Sequence, residues 1–258
     1  MNLITRRVLI TGAGAPNGIG MAAARDFLAA GAQVFISGHS SRVDQRCEEL
    51  RKLGGAVSSL SGDLTDPDFA KKLKDTAVDF LGGIDVLVNN AGMTSQINPA
   101  GNESASLADI TIDSWRSSIA RNLDSLFYLT KEVLPDIRKS EAGRIINITS
   151  ATGPVMAMRN EIGYASAKAA VSGFTRALAL DEAQYGITVN AIAPGWIATD
   201  SQSDHERGQG LKTPMKRSGK PTEIASAIIW LASKESGYIT GQTIVIDGGN
   251  SIAEERGD

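Results

Sequence analysis

The chain is 258 residues long, with 26 lysines and arginines against 29 acids (net charge -3) and 42% hydrophobic against 21% charged residues. That length can bury a sizeable core, and the absence of a concentrated basic block argues against nucleic acid or an anionic membrane as the main partner. No apolar run reaches the roughly 18 residues of a membrane span, and Met1 to Arg7 lacks the apolar stretch of a secretory signal, so a cytoplasmic location is expected. The single cysteine, Cys47, rules out an internal disulfide; its spacing from Val43 and Leu50 predicts packing on the apolar side of a helix.

Arg7 to Thr11 is a short β-branched run, after which Ile19, Ala22, Ala23, Phe27 and Leu28 fall at helical spacing: strand, turn, helix. The turn, Thr11-Gly12-Ala13-Gly14-Ala15-Pro16-Asn17-Gly18-Ile19-Gly20, lets the backbone approach a pyrophosphate, with the next helix aiming its N-terminal amides at the phosphates. Alternation continues with a strand over Gln33 to Ser37, a helix from about Ser41 to Leu53, a strand over Val57 to Ser61, a helix over Pro67 to Leu81 and a strand over Ile84 to Asn89. Strands and helices taking turns imply a parallel sheet covered on both faces, with ligands collecting at the carboxyl ends of its strands. Three polar signals sit at those ends: Asp63-Leu64, Asn89-Asn90-Ala91-Gly92 and Ser37-Gly38-His39-Ser40-Ser41-Arg42. An acid closing the second strand would bind a free ribose 2′-hydroxyl and repel a 2′-phosphate; Gly38 stands there instead, followed by hydroxyls and Arg42, which favours NADP(H) over NAD(H).

Residues about 93–112 form a polar excursion, followed by a helix from near Ile112 or Asp113 that turns Trp115, Ile119, Leu123, Leu126 and Leu129 toward a core, with Asn122 among them. Arg144 to Thr149 reads as a buried strand, and Ser150 at its carboxyl end faces the ligand crevice. Glu161 to Gln184 predicts a helix on which Tyr164 and Lys168, four residues apart, share a face. A fixed cation beside the phenol favours the phenolate, so a lowered tyrosine pKa and a general acid/base role are expected. A strand over Ile187 to Ala193, a polar lid over about 200–216, a helix from Pro221 to about Ser233 and a strand over Gln242 to Ile246 complete one domain, 1–258. The fold expected is a single-domain α/β Rossmann fold, a doubly wound parallel sheet of about seven strands.

The glycine turn, Asn89-Asn90-Ala91-Gly92, Asn122, Ser150-x-x-Gly153, Tyr164-x-x-x-Lys168 and Pro194-Gly195 fall together in the order and approximate spacing of one family. From Arg7 to Gly249 the chain resembles the single-domain short-chain dehydrogenases/reductases, in the branch of the 3-oxoacyl-carrier-protein reductases. The resemblance implies a catalytic set of Asn122, Ser150, Tyr164 and Lys168: the tyrosine donates a proton to a ketone oxygen or accepts one from an alcohol, the serine holds that oxygen, the lysine binds the nicotinamide ribose, and the asparagine positions a relay water. It implies cofactor contacts at Gly12, Asn17, Gly18, Ile19, Gly20, Gly38, His39, Ser40, Arg42, Asp63, Leu64, Asn90, Ala91, Gly92, Pro194, Gly195, Ile197 and Thr199 as well as Tyr164 and Lys168, and no metal. Ser150, Met156, Tyr164 and Trp196 are the expected substrate contacts, with Thr94 and Val155 as further pocket candidates. Family members commonly pair through the helices bearing Asn122 and Tyr164, where Ala165, Ala169, Ser172 and Gly173 would permit close packing, so a homotetramer is expected.

Three features depart from the family pattern. The glycine turn is two residues longer, around Ala15, Pro16 and Asn17, and has Asn17 where NADP-users often carry a base; one residue is added between Ser150 and Tyr164; and the excursion after Gly92 is longer. The altered turn brings enoyl-thioester reductases to mind, but those space tyrosine and lysine more widely. The resemblance therefore implies an oxidoreductase moving a hydride between NADP(H) and a small-molecule ketone or secondary alcohol. The alternatives are an NAD-dependent alcohol dehydrogenase of the same fold or a catalytically silent cofactor-binding sensor or scaffold.

Overall fold

The computed structural model describes Leu3 and residues 5–92 and 104–254. Seven strands, β1 (Arg7–Ile10), β2 (Gln33–Gly38), β3 (Val57–Ser61), β4 (Val86–Asn89), β5 (Arg144–Ile148), β6 (Thr188–Pro194) and β7 (Thr243–Ile246), form one sheet in the order β3-β2-β1-β4-β5-β6-β7. Every pairing is parallel. Successive side chains on a strand point to opposite faces. Val8 and Ile10 accordingly enter one core with Val34, Ile36, Val86 and Val88, while Leu9 enters the other with Phe35 and Leu87. On the first face lie α1 (Ile19–Ala29), α2 (Arg42–Lys52) and α8 (Pro221–Ala232); on the second lie α3 (Pro67–Leu81), α5 (Ser125–Ile137) and α6 (Ile162–Glu182).

Because β1 is followed outward by β2 and β3 while β4 returns to its other side, strand order reverses between β1 and β4, and the crevice opens at their carboxyl ends. Local chemistry fixes many boundaries. Helix α3 starts at Pro67 with the Asp66 side chain accepting from the Asp68 amide, and stops at Gly82 in the left-handed region. Cys47 is buried in the first core, as its spacing predicted.

The structure corrects or adds to the expected picture at three points. The helix bearing Asn122 is interrupted: α4 (Ile112–Ile119) passes through a π-helical turn (Ala120–Asp124) into α5. Its buried face is Ser114, Ser118 and Asn122 before switching to Leu126 and Leu129, whereas Trp115, Ile119 and Leu123 are only half-buried. Small residues on α4 let α6 approach closely: a Cβ on Gly163 would lie 3.0 Å from that of Ser118. Second, the polar stretch after Thr199 contains a helix, α7 (Asp204–Leu211), started by a reciprocal cap between Ser203 and Glu206. Third, Ser172 does not lie on an open packing face; it is buried and accepts from the Thr243 hydroxyl at 3.2 Å. Most of the excursion, including Thr94, lies outside the described residues.

Candidate active site

The glycine turn is braced from β4. The Asn90 side-chain amide donates to the carbonyls of Thr11 and Gly12, both at 3.0 Å, and the Thr11 hydroxyl accepts from the amides of Asn90 and Ala91 at 3.0 and 2.9 Å. Gly12 (φ +70) and Gly20 are glycine because an added Cβ would lie 2.8 and 2.7 Å from that same amide nitrogen. Asn90 thus shapes the turn, and Thr11, a residue not singled out from the sequence, is its counterpart. The N-terminus of α1 has neither a side-chain cap on Gly18 nor an acid in its first turn, in contrast to α3 and α7. Its first amides, Ile19 included, are left for an anion, which fits a dinucleotide pyrophosphate.

At the end of β2, Gly38 packs against α2: a Cβ there would meet Val43 Cβ at 3.1 Å and lie 3.6 Å from the Gly14 amide. His39 and Arg42 are exposed, and Arg42 donates to the Ser40 hydroxyl at 3.3 Å. The Asp63 carboxylate closes a local turn by accepting from the Thr65 amide and hydroxyl, and Leu64 lines a crevice with Thr11, Asn89 and Ala91. On the far side, the Pro194 carbonyl accepts from the Ala151 amide and Gly195 lies against Asp247. Ile197 bridges to Gly219, whose amide donates to the Trp196 carbonyl, and the Thr199 hydroxyl bonds that of Ser201 at 3.0 Å.

The catalytic candidates converge above β5. Gly153 (φ +109) presses on the backbone of α6, a Cβ there lying 2.8 Å from the Ala169 amide nitrogen, and this brings the loop after Ser150 onto the helix bearing Tyr164. Met156 completes that loop by accepting from the Gly153 amide at 2.8 Å. The chain then turns through Asn160 in the left-handed region, which asparagine tolerates, in the stretch expected to absorb the added residue. Lys168 is buried; its ammonium donates to the Ile148 carbonyl at 3.0 Å, and its own carbonyl accepts from the Thr149 hydroxyl at 2.7 Å. Its Nζ lies 5.7 Å from the Tyr164 ring centroid. A Cβ on Gly92 (φ +132) would sit 2.9 Å from Asn122 Oδ1 and 3.1 Å from Lys168 Nζ, so Asn122 and Lys168 reach a common point. Asn122 occupies the π turn, a distortion common at functional sites, and donates to the Ser118 carbonyl at 3.1 Å. Beneath them Asn89 donates to Thr130 and Asn147, and Asn147 to Thr175, tying β4 and β5 to α5 and α6.

The electrostatics correct the sequence reading. Burial pushes the Tyr164 phenol above its ordinary value, a hydrogen bond with Ser150 pulls the other way, and the charges of Glu161 and Glu206 push it further up. The lysine, itself lowered to about 8 by burial, does not reverse this. Glu161 is buried at the start of α6, takes a hydrogen bond from Ser104, and is itself raised by burial and by Glu206. Neither acid was singled out from the sequence, because their approach to Tyr164 depends on how α7 and the segment after residue 103 pack.

A doubly wound sheet with serine, tyrosine and lysine gathered at its carboxyl edge defines an NAD(P)-dependent oxidoreductase acting on CH–OH groups. A family profile described as enoyl-(acyl carrier protein) reductase matches residues 12–251. The 3-oxoacyl-[acyl-carrier-protein] reductase of Vibrio cholerae is 38% identical over 96% of this chain and 98% of its own, and nodulation protein G of a Rhizobium species is 37% identical over 96% and 97%. A dehydrogenase/reductase of Sinorhizobium meliloti superposes with a TM-score of 0.88 at 29% identity, covering 98% of this chain and 97% of that one. Aldohexose dehydrogenase of Thermoplasma acidophilum superposes with a TM-score of 0.84 at 30% identity, covering 99% and 98%. The chain belongs to the short-chain dehydrogenase/reductase family, in the branch similar to the 3-oxoacyl-carrier-protein reductases.

Proposed function

We propose that this enzyme reduces a ketone to a secondary alcohol with NADPH, and runs the reverse oxidation at the same site. The observation that carries the reading is the meeting of Ser150, Tyr164 and Lys168 above the end of β5, linked to the glycine turn before the uncapped start of α1 through Gly92, beside Lys168, and Asn90, bonded to Gly12. The bound nicotinamide supplies the hydride. Ser150 and Tyr164 hold the ketone oxygen between two hydroxyl donors, which stabilises negative charge as it develops there. Tyr164 then gives its proton to that oxygen; a phenol held above its ordinary pKa keeps the proton until the far more basic alkoxide forms. Lys168, fixed through Ile148, keeps further ammonium donors for the nicotinamide ribose, with Asn122 beside it for a relay water.

Gly38, the Ser40 hydroxyl and exposed Arg42 favour NADP(H) over NAD(H), because they present donors and no acid to a 2′-phosphate. We read Met156 and Trp196 as substrate contacts and the 200–216 segment as a lid: its ends are held together at Ile197 and Gly219, and the charge of Glu206 within it acts on Tyr164. The relatives named for 3-oxoacyl substrates support an acyl ketone as the first class to screen. We further read the assembly as a homotetramer in the cytoplasm: no described helix is long and apolar enough to cross a membrane, and Gly173 leaves open space on α6 for a partner helix. Calorimetric titration with NADPH and NADH at matched ionic strength tests the cofactor reading, followed by a ketone screen on loss of NADPH absorbance. Tighter NADH binding overturns the preference, and binding of neither dinucleotide overturns the enzyme mechanism.

A further inference from the structure

The two extra residues of the glycine turn build a defined object. Ala15 to Gly18 form a tight turn closed by the Gly18 amide donating to the Ala15 carbonyl at 3.1 Å, with Pro16 in its first central position. The turn presents Asn17, whose backbone amide donates to one carboxylate oxygen of Asp200 at 2.9 Å and whose side-chain amide donates to the other at 2.8 Å. Asp200 sits on a turn of its own, in which the Gln202 amide donates to the Thr199 carbonyl at 3.1 Å, at the leading edge of the segment carrying α7. Arg46 on α2 acts on the same carboxylate.

This contact spans the site. The glycine turn follows β1 and Asp200 follows β6, with β4 and β5 between them in the sheet. Three strand spacings separate the two loops by about 14 Å at their roots, so they meet only by leaning toward each other above the crevice. We infer that Asn17 and Asp200 form a latch bridging the cofactor cleft, and that its opening gates both entry and release of the dinucleotide. The inference rests on the reading that a dinucleotide occupies the glycine turn, and it gives the lengthened turn its purpose: Pro16 and the added backbone carry Asn17 across to the segment after β6.

Stopped-flow NADPH fluorescence measures association directly and release by chase with excess NADP+, in the wild type, Asn17→Ala, Asp200→Asn and the double variant. Asp200→Asn keeps the shape of the side chain and places an amide where an acceptor was needed, and Asn17→Ala keeps the backbone amide. Each single variant is expected to raise both rates about tenfold, the loss of a hydrogen bond to a charged group, so that affinity changes less than either rate. The double variant should go no further than the larger single, since both remove one contact. Removing a negative charge near a pyrophosphate, acting alone, speeds association but slows release; slower or unchanged release in Asp200→Asn therefore overturns the latch, as do additive effects. Failure of the wild type to bind either dinucleotide overturns the cofactor reading and the latch with it, whereas normal binding with unaltered rates in the variants overturns the latch alone.

Discussion

The Lys168 ammonium donates to the Ile148 carbonyl at 3.0 Å, joining the middle of α6 to the end of β5 within a site where the lysine is 2% exposed. Burial holds its pKa at about 8 against an ordinary 10.5. Because the folded value lies below the unfolded one, the stability this group contributes is full above pH 10.5 and is lost as pH falls to about 8, so that the buried ammonium costs about 3 kcal/mol at neutral pH. Lys168→Met removes that cost and leaves one carbonyl unpaired, a penalty of about 1–3 kcal/mol. The variant is expected to melt at or above the wild-type temperature at pH 7, to lose the rise in stability between pH 8 and 10.5, and to lose turnover. Thermal melts across that pH range check it; a variant several degrees less stable at pH 7 would show that the lysine serves the fold.

Tyr164→Phe preserves the ring and removes the hydroxyl proposed as the proton donor. Reduction should fall by about 10³-fold or more with NADPH affinity nearly unchanged, since general acid catalysis contributes about 10²–10⁴-fold. Ser150→Ala should cost about 10²-fold through loss of one donor at the developing oxyanion. Steady-state rates paired with cofactor titration separate the two quantities, and Tyr164→Phe turning over at the wild-type rate would sink the assigned mechanism.

Glu161 and Glu206 both push the Tyr164 phenol upward, because a nearby negative charge disfavours the phenolate. In the proposed mechanism alcohol oxidation uses the Tyr164 phenolate as base, so its rate is expected to rise as pH passes through the tyrosine pKa. Glu161→Gln removes one of these charges at constant shape and should move that rise to lower pH. The pH profile of oxidation at saturating substrate is the readout; an unmoved profile means that Glu161 acts only by anchoring Ser104.

Much of this fold is legible where local chemistry is decisive. Val57–Ser61 and Pro67–Leu81 have the bounds read from the sequence, the second because Asp66, Pro67 and Gly82 cap it. The π turn at Asn122 is hidden, since the apolar spacing from Trp115 to Leu129 fits a continuous helix and only the close approach of α6 selects the serine face. Helix α7 did leave a signal, the Ser203-x-x-Glu206 cap, which Gly208 and Gly210 masked. Ser150, Tyr164 and Lys168 could be named from motif spacing, but the direction of the tyrosine shift could not. It is set by burial and by Glu206, 42 positions along the chain, and the contact of Asn17 with Asp200 spans 183.

Gly38 carries two arguments that one pair of variants separates. Its missing side chain lets Val43 of α2 pack close, and in the proposed cofactor reading its missing charge admits a 2′-phosphate at the end of β2. Gly38→Ala introduces only the packing conflict, with Cβ 3.1 Å from Val43 Cβ, and should destabilise by about 1–3 kcal/mol while leaving the NADPH preference in place. Gly38→Asp carries the same conflict plus a carboxylate. Placing like charges together costs several kcal/mol, so NADPH affinity should fall on the order of 10²-fold, while NADH, whose ribose hydroxyl the carboxylate can accept from, holds or gains. Titration of both variants with both dinucleotides reads the ratio directly. Equal loss of NADPH affinity in Gly38→Ala and Gly38→Asp would place the effect in the packing of α2, and the charge argument for NADP(H) would fall.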